Sequence, residues 1–237
     1  MQLSPDSVVY WQGGHLKVNA TILFTWFNII LLTVVSGLVT RRLSTRKSPS
    51  RGQSILEVIV EGIESQIEGV GLRPARDFLP FLGSLFLFIL ISNLLSVVPG
   101  YQAPTGSLST TAALALAVLV ATPLWGIHRR GLAGYLKLYL EPTPLMLPFN
   151  VMGEVSRTLA LAVRLFGNAM SGAMIAAILL TLVPLIFPVA MNLMGLVTGV
   201  IQAYIFAVLA AVYIAAAVRV EREREEKETS PQGEQNG

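Results

Sequence analysis

The chain contains no cysteine. Disulfides and thiolate metal sites are therefore excluded. Histidine occurs only at His15 and His128, too few and too far apart for a metal cluster, so neither a metal nor a cofactor is expected. Charge is scarce as well, at 13% of residues, where soluble domains carry about 25%. There is no internal repeat, Walker loop, dinucleotide fingerprint, Ser-His-Asp arrangement or pair of catalytic carboxylates. No catalytic residue is expected in this chain, and any nucleotide must be bound by another one. The net charge of +3 reads as a membrane-topology signal, with no nucleic-acid partner implied.

Long uncharged runs are what the sequence does have. Hydrophobic residues make up 53% of it. Thr21 to Thr40 is one such run, Phe78 to Gly100 contains another, and Leu179 to Val218 carries no charge. About 20 apolar residues span a bilayer as a helix, and the alternation of a membrane barrel is missing. The expected fold is all-α: a polytopic helical bundle with five crossings. They run from about residue 20 to 40, 79 to 98, 110 to 127, 146 to 183 and 188 to 218. The last two exceed one bilayer thickness and should form a long, tilted antiparallel hairpin turned by Pro184 and Pro188. The first span is too long for a signal peptide and lacks a small-x-small cleavage site after it.

Basic residues set the orientation. Arg41, Arg42, Arg46, Lys47, Arg51, Arg73 and Arg76 fall between the first and second spans. Arg129, Arg130 and Lys137 follow the third, and Arg219, Arg222, Arg224 and Lys227 follow the fifth. Five crossings put all of these on one side, with only Lys17 opposite. Residues 1–19 are then an external segment, 20–218 the membrane domain, and 219–237 a cytoplasmic charged tail. The tail should briefly continue the last helix and then be disordered.

Between the first two spans, Ile55, Ile59, Ile63 and Ile67 repeat every four residues, while Glu57, Glu61, Glu64 and Glu68 occupy another face. This is an amphipathic helix on the inner surface or against the bundle. Its acidic face is either simply solvated or a vestibule that draws cations to an inner port.

One charge sits inside a span: Arg164, within "LALAVRLFGNAMSGAM". A mid-membrane arginine costs about 2.5–3.5 kcal/mol on insertion scales, and such residues mark functional sites by default. Guanidinium stays protonated, so it supplies a fixed charge and cannot relay protons by titrating. Arg157, Asn168 and Ser171 share its helix face at helical spacing. Gly167, Ala169, Gly172 and Ala173 keep the neighbourhood small enough for another helix to approach. Glu154 is the one acid in the last two spans. It lies about 15 Å along the helix from Arg164 and is better placed to pair with Arg157. The partner of Arg164 must come from another subunit or from solvent. In the last span Gln202 is the conspicuous polar residue; it either stands beside Arg164 or makes an interhelical bond without a role in transport. Gly195, Gly199 and Ala203 form a small-residue row, and Tyr204 and Tyr213 read as packing or interface residues.

The stretches "RLFGNAMSG", "IQAYIFAVLAAVYI", "PTPLMLPFNVMGEVSR" and "NLLSVVPGYQAPTGSLSTTAALALA" resemble subunit a of F-type ATP synthases, over roughly residues 55 to 218. The resemblance implies an ion-translocating stator against which a ring of c subunits turns. It also implies a b-subunit stalk, the rest of the synthase and the lipid bilayer as partners. The implied location is a bacterial inner (plasma) membrane or a thylakoid-type membrane. Arg164 matches the family's essential arginine and would face the ring's carboxylate, with Asn168 and Gln202 beside it in ion translocation. Asn93, Ser96, Glu154, Arg157, Ser171, Asn192 and Thr198 are candidates for lining two half-channels. Many relatives carry an acid where this chain has Ala173, and some a histidine where it has Gly195. The outer path is therefore left with neutral groups. The resemblance implies H⁺ as coupling ion; the oxygen-rich neutral lining would also suit Na⁺. An autonomous channel or secondary transporter is the rival from another class.

Overall fold

The computed structural model describes residues 9–13, 16–40, 51–98, 100–140, 145–182 and 187–229. A short antiparallel pair comes first: β1 (Val9–Gly13) and β2 (Leu16–Asn19), with Trp11 opposite Val18 and Gly13 opposite Leu16. This pair lies in the segment before the membrane domain, whose all-helical character stands. Val9, Tyr10, Trp11 and Val18 favour extended backbone. From Ala20 onward the described body is helical.

Helix α1 (Ala20–Thr40) runs straight from the hairpin. Most of its large side chains are exposed, including Trp26, Ile30 and Leu38, as expected for a helix whose solvent is lipid. Thr21 and Asn28 are its buried polar residues, and Asn28 is fully buried against α3. Helix α2 (Arg51–Gly69) is amphipathic. Ile67 is buried and Ile63 packs against the core, while Glu57, Glu61 and Glu68 face outward.

Helix α3 (Leu79–Leu95) starts with Pro80 in its first turn, where the missing N–H is not needed. Its 17 residues extend about 25 Å, less than the hydrocarbon thickness of about 30 Å. Helix α4 (Leu108–Leu140) carries Pro123 internally and is broken at Gly131. Helices α5 (Met146–Leu182) and α6 (Phe187–Thr229) pack against each other and against α4. Among the described residues, four helices are long and apolar enough to cross a membrane, over Ala20–Leu38, Leu108–Arg129, Met146–Ile175 and Leu193–Val218. The expected second crossing corresponds to the shorter apolar α3.

Pro188 opens α6, whereas Pro184 lies outside the described residues. The tail helix extends to Thr229, further than the brief continuation expected, and the disorder expected beyond it falls outside the described residues.

Apolar burial gives helices no preference for one another in lipid, so close packing must hold this bundle. The buried face of α6 is built for that, with Ala203, Ala210, Ala211, Ala215 and Ala217 alternating with Phe206 and Ile214. Phe78, Leu82, Leu85 and Ile89 of the α3 region, and Leu161 and Leu165 of α5, complete the core.

Candidate functional site

Two hydrogen bonds set how α6 lies against its neighbours. Asn168 Nδ2 on α5 donates to the Thr198 carbonyl at 3.4 Å. Asn93 Nδ2 on α3 donates to the Gly199 carbonyl at 2.9 Å. A third contact lies further along the hairpin, where the Arg157 guanidinium stands over the Tyr213 ring at 5.9 Å. The helices are antiparallel, so moving four residues back on α5 and four forward on α6 travels the same distance, about 6 Å, on each. Arg164 and Gln202 thus come to one level.

Their environments differ. Arg164 is exposed, as are Val163 before it and Ile175 about three turns further along the same face. Among the described residues it has no ion pair or hydrogen bond. Gln202 is buried, and its Nε2 lacks a hydrogen-bond partner among the described residues. An unmatched buried amide costs about 1–3 kcal/mol. The site is therefore polar and unsatisfied at mid-helix, with a fixed charge facing out of the subunit.

The other candidates separate into two groups. Towards one end, Glu154 and Arg157 share a cavity of about 400 Å³ with Asn150, Thr158, Tyr135 and Tyr213. The expected closeness of Glu154 and Arg157 is thus a shared wall, with Arg157 seated on Tyr213. Towards the other end lie Asn93, Asn168, Ser171 and Thr198. Ser171 Oγ donates to the Gly167 carbonyl at 2.5 Å and Thr198 Oγ1 to that of Met194 at 3.0 Å, so both hydroxyls are turned back on their own helices. Ser96 likewise donates to the Asn93 carbonyl at 2.6 Å and stands exposed at the end of α3. Asn192 stands in α6, and its side chain is outside the described part.

Several polar contributors were invisible to spacing arguments. Thr105 Oγ1 donates to Asn93 Oδ1 at 2.9 Å, so Asn93 is held on both its amide atoms. Asn28 Nδ2 donates to Ser92 Oγ at 2.8 Å, and Tyr101 OH donates to Asn28 Oδ1 at 2.9 Å. Burial pushes the Tyr101 hydroxyl up to about 12, against the lowering effect of its hydrogen bonds to Asn28 and Ser92. It therefore stays protonated and remains a donor throughout physiological pH. A lone asparagine in an otherwise apolar first span was the signal for this cluster. Tyr213, read as packing, lines the cavity, and Tyr204 OH donates to Gln66 Oε1 at 2.9 Å.

The α5–α6 register is directly testable in a chain without native cysteine. Asn168→Cys with Thr198→Cys should join through a short thiol crosslinker. Asn168→Cys with Ile205→Cys, about 10 Å out of register, should not. The reverse pattern would show that the hairpin is slipped by two turns.

An all-helical membrane body with an outward-facing intramembrane arginine, level with a buried amide, defines a membrane-embedded ion-handling subunit. Comparison with known proteins gives the particular family. The family model described as "ATP synthase A chain" matches residues 22–215. "ATP synthase subunit a" of Albidiferax ferrireducens is 62% identical over 219 residues, covering 92% of this chain and 95% of that protein. "ATP synthase subunit a 1" of Chlorobaculum parvum is 60% identical, covering 97% of this chain and 100% of that protein. "ATP synthase subunit a 2" of Acaryochloris marina is 59% identical, covering 94% and 95% respectively. The chain belongs to the ATP synthase subunit a family. It is accordingly a membrane protein with the rest of an ATP synthase as its partners.

Proposed function

We propose that this chain is the ion-translocating stator of the membrane sector of an F-type ATP synthase. The reading rests above all on Arg164, an exposed guanidinium in an apolar span, with no ion pair or hydrogen bond among the described residues. A ring of c subunits, each carrying a mid-membrane carboxylate, is the partner that would satisfy that charge. Arg164 favours the ionised carboxylate and so lowers its affinity for the ion. It also bars direct passage between the two half-channels. One charge crossing 100 mV is worth about 2.3 kcal/mol, which such a leak would dissipate.

In this reading α3 is the second of five crossings, α2 lies at the inner interface, and a b-subunit stalk completes the stator. The N-terminus is outside and the C-terminus cytoplasmic, in a bacterial inner or thylakoid-type membrane. The cavity bearing Glu154 and Arg157 is then the inner half-channel. Asn93, Ser96, Asn168, Ser171, Asn192 and Thr198 mark the outer one, and Gln202 stands at the junction. An autonomous channel is disfavoured because it leaves Arg164 without a counter-charge; ion flux through the isolated chain would revive it.

The coupling ion is H⁺ in this reading. Na⁺ is a second reading, favoured by one observation: Ala173 and Gly195 stand where some relatives have titratable groups, and neutral oxygens remain. ATP hydrolysis by the whole complex at alkaline pH, with and without Na⁺, separates the two. Proton coupling gives activity indifferent to Na⁺ and transport abolished by a protonophore. Several-fold stimulation by Na⁺, with Na⁺ uptake that survives the protonophore, assigns Na⁺ instead.

A further inference from the structure

The cavity with Glu154 and Arg157 has a wall that comes from an unexpected place. At Gly131 the backbone of α4 takes φ 73° and ψ 163°, a conformation that glycine adopts far more readily than any residue with a side chain. The helix axis breaks there, and the residues beyond return towards the bundle. Tyr135, four residues on, is only 8% exposed. Its ring presses on Gly126, one turn before the break. A Cβ on residue 126 would stand 2.6 Å from Tyr135 Cε2, 2.7 Å from Cδ2 and 3.6 Å from the Ala217 Cβ. Glycine at 126 is thus what makes room for the ring between α4 and α6. The same ring lines the cavity of about 400 Å³ together with Arg157, Glu154 and Thr158.

We propose that Tyr135 is a positioning residue that sets the aperture of the inner ion path, seated by Gly126 and returned to the cavity by the break at Gly131. The proposal rests on the cavity's being the inner half-channel. A tyrosine suits such a place because a bulky ring limits the passage while its polar tip tolerates water. The ring acts through the space it occupies and need not touch the ion. The nearest atoms at residue 126 are those of the Tyr135 ring, so Gly126→Ala pushes the ring out of its seat.

The test is made in the whole complex, with Thr158→Cys as a reporter inside the cavity and a cationic, membrane-impermeant thiol reagent on the cytoplasmic side of inverted vesicles. Tyr135→Ala should raise the labelling rate at least fivefold. Gly126→Ala should shift it in the same direction, and Tyr135→Phe should leave it within twofold. Assembly is read from the amount of subunit that co-purifies with the complex, and Tyr135→Leu replaces the alanine variant if that fails to assemble. Unchanged labelling in assembled alanine or leucine variants overturns the proposal. If the cysteine labels faster but the labelled complex pumps normally, the aperture stands and the half-channel reading fails.

Discussion

Arg164→Ala is expected to abolish ATP-driven ion pumping while the subunit still inserts and assembles. Removing the charge relieves an insertion cost of about 2.5–3.5 kcal/mol, so the lesion is not one of folding. What is lost is the fixed counter-charge for the passing carboxylate: Asn168 and Ser171 on the same face are neutral, and Arg157 lies two turns away with its guanidinium over the Tyr213 ring. Pumping in inverted vesicles should fall by at least 100-fold. Arg164→Lys should be severely impaired as well, since a buried ammonium can lose its proton and lacks the planar fork of a guanidinium. Near-normal pumping by the alanine variant would remove the basis of the stator assignment.

Gly199→Ala should damage the subunit by a different route. A Cβ at residue 199 would lie 2.7 Å from the Asn93 Cβ, 3.1 Å from its Cγ and 3.2 Å from its Nδ2. The nearest atom is the root of the side chain, which cannot swing aside, so α3 and α6 must separate. Overpacking of this kind costs about 1–3 kcal/mol. The bond from Asn93 to the Gly199 carbonyl is strained at the same time, which puts about 1 kcal/mol more at risk. The purified complex should release the subunit at a lower temperature, and less of it should be found in the membrane. Asn93→Gly removes the colliding atoms, so the double variant should be less damaged than the two single effects added together. Simple additivity would show that Gly199 matters for some reason other than its approach to Asn93.

Gln202 shows where the two levels of description meet. Its polarity in an apolar run marked it from the sequence, yet two roles stayed open for it. The contact from Asn168 to Thr198 is what brings it level with Arg164, and burial is what leaves its amide unmatched. Asn93 behaves similarly. The family resemblance marked it as a neutral half-channel candidate, but its hold on Gly199, 106 residues away, depends on where α6 packs.

By itself the sequence determined the membrane class, the long apolar helices, the amphipathic α2 and the isolated charge at Arg164. These follow from local rules: a bilayer admits backbone only when its own hydrogen bonds are satisfied, and helical spacing decides which residues share a face. The paired strands at Val9–Gly13 and Leu16–Asn19 leave a weaker mark, with 5 and 4 residues beside a helix of 21. Only the tertiary structure decided the seat of Tyr135 on Gly126, the clamp of Asn28, Ser92 and Tyr101, and the sharing of one cavity by Glu154 and Arg157. The reason is that rows of small residues allow close approach at many registers, and lipid exerts no hydrophobic pressure that would select one. The choice falls to a few interlocking contacts between residues far apart in the chain, and spacing along a single helix does not encode them.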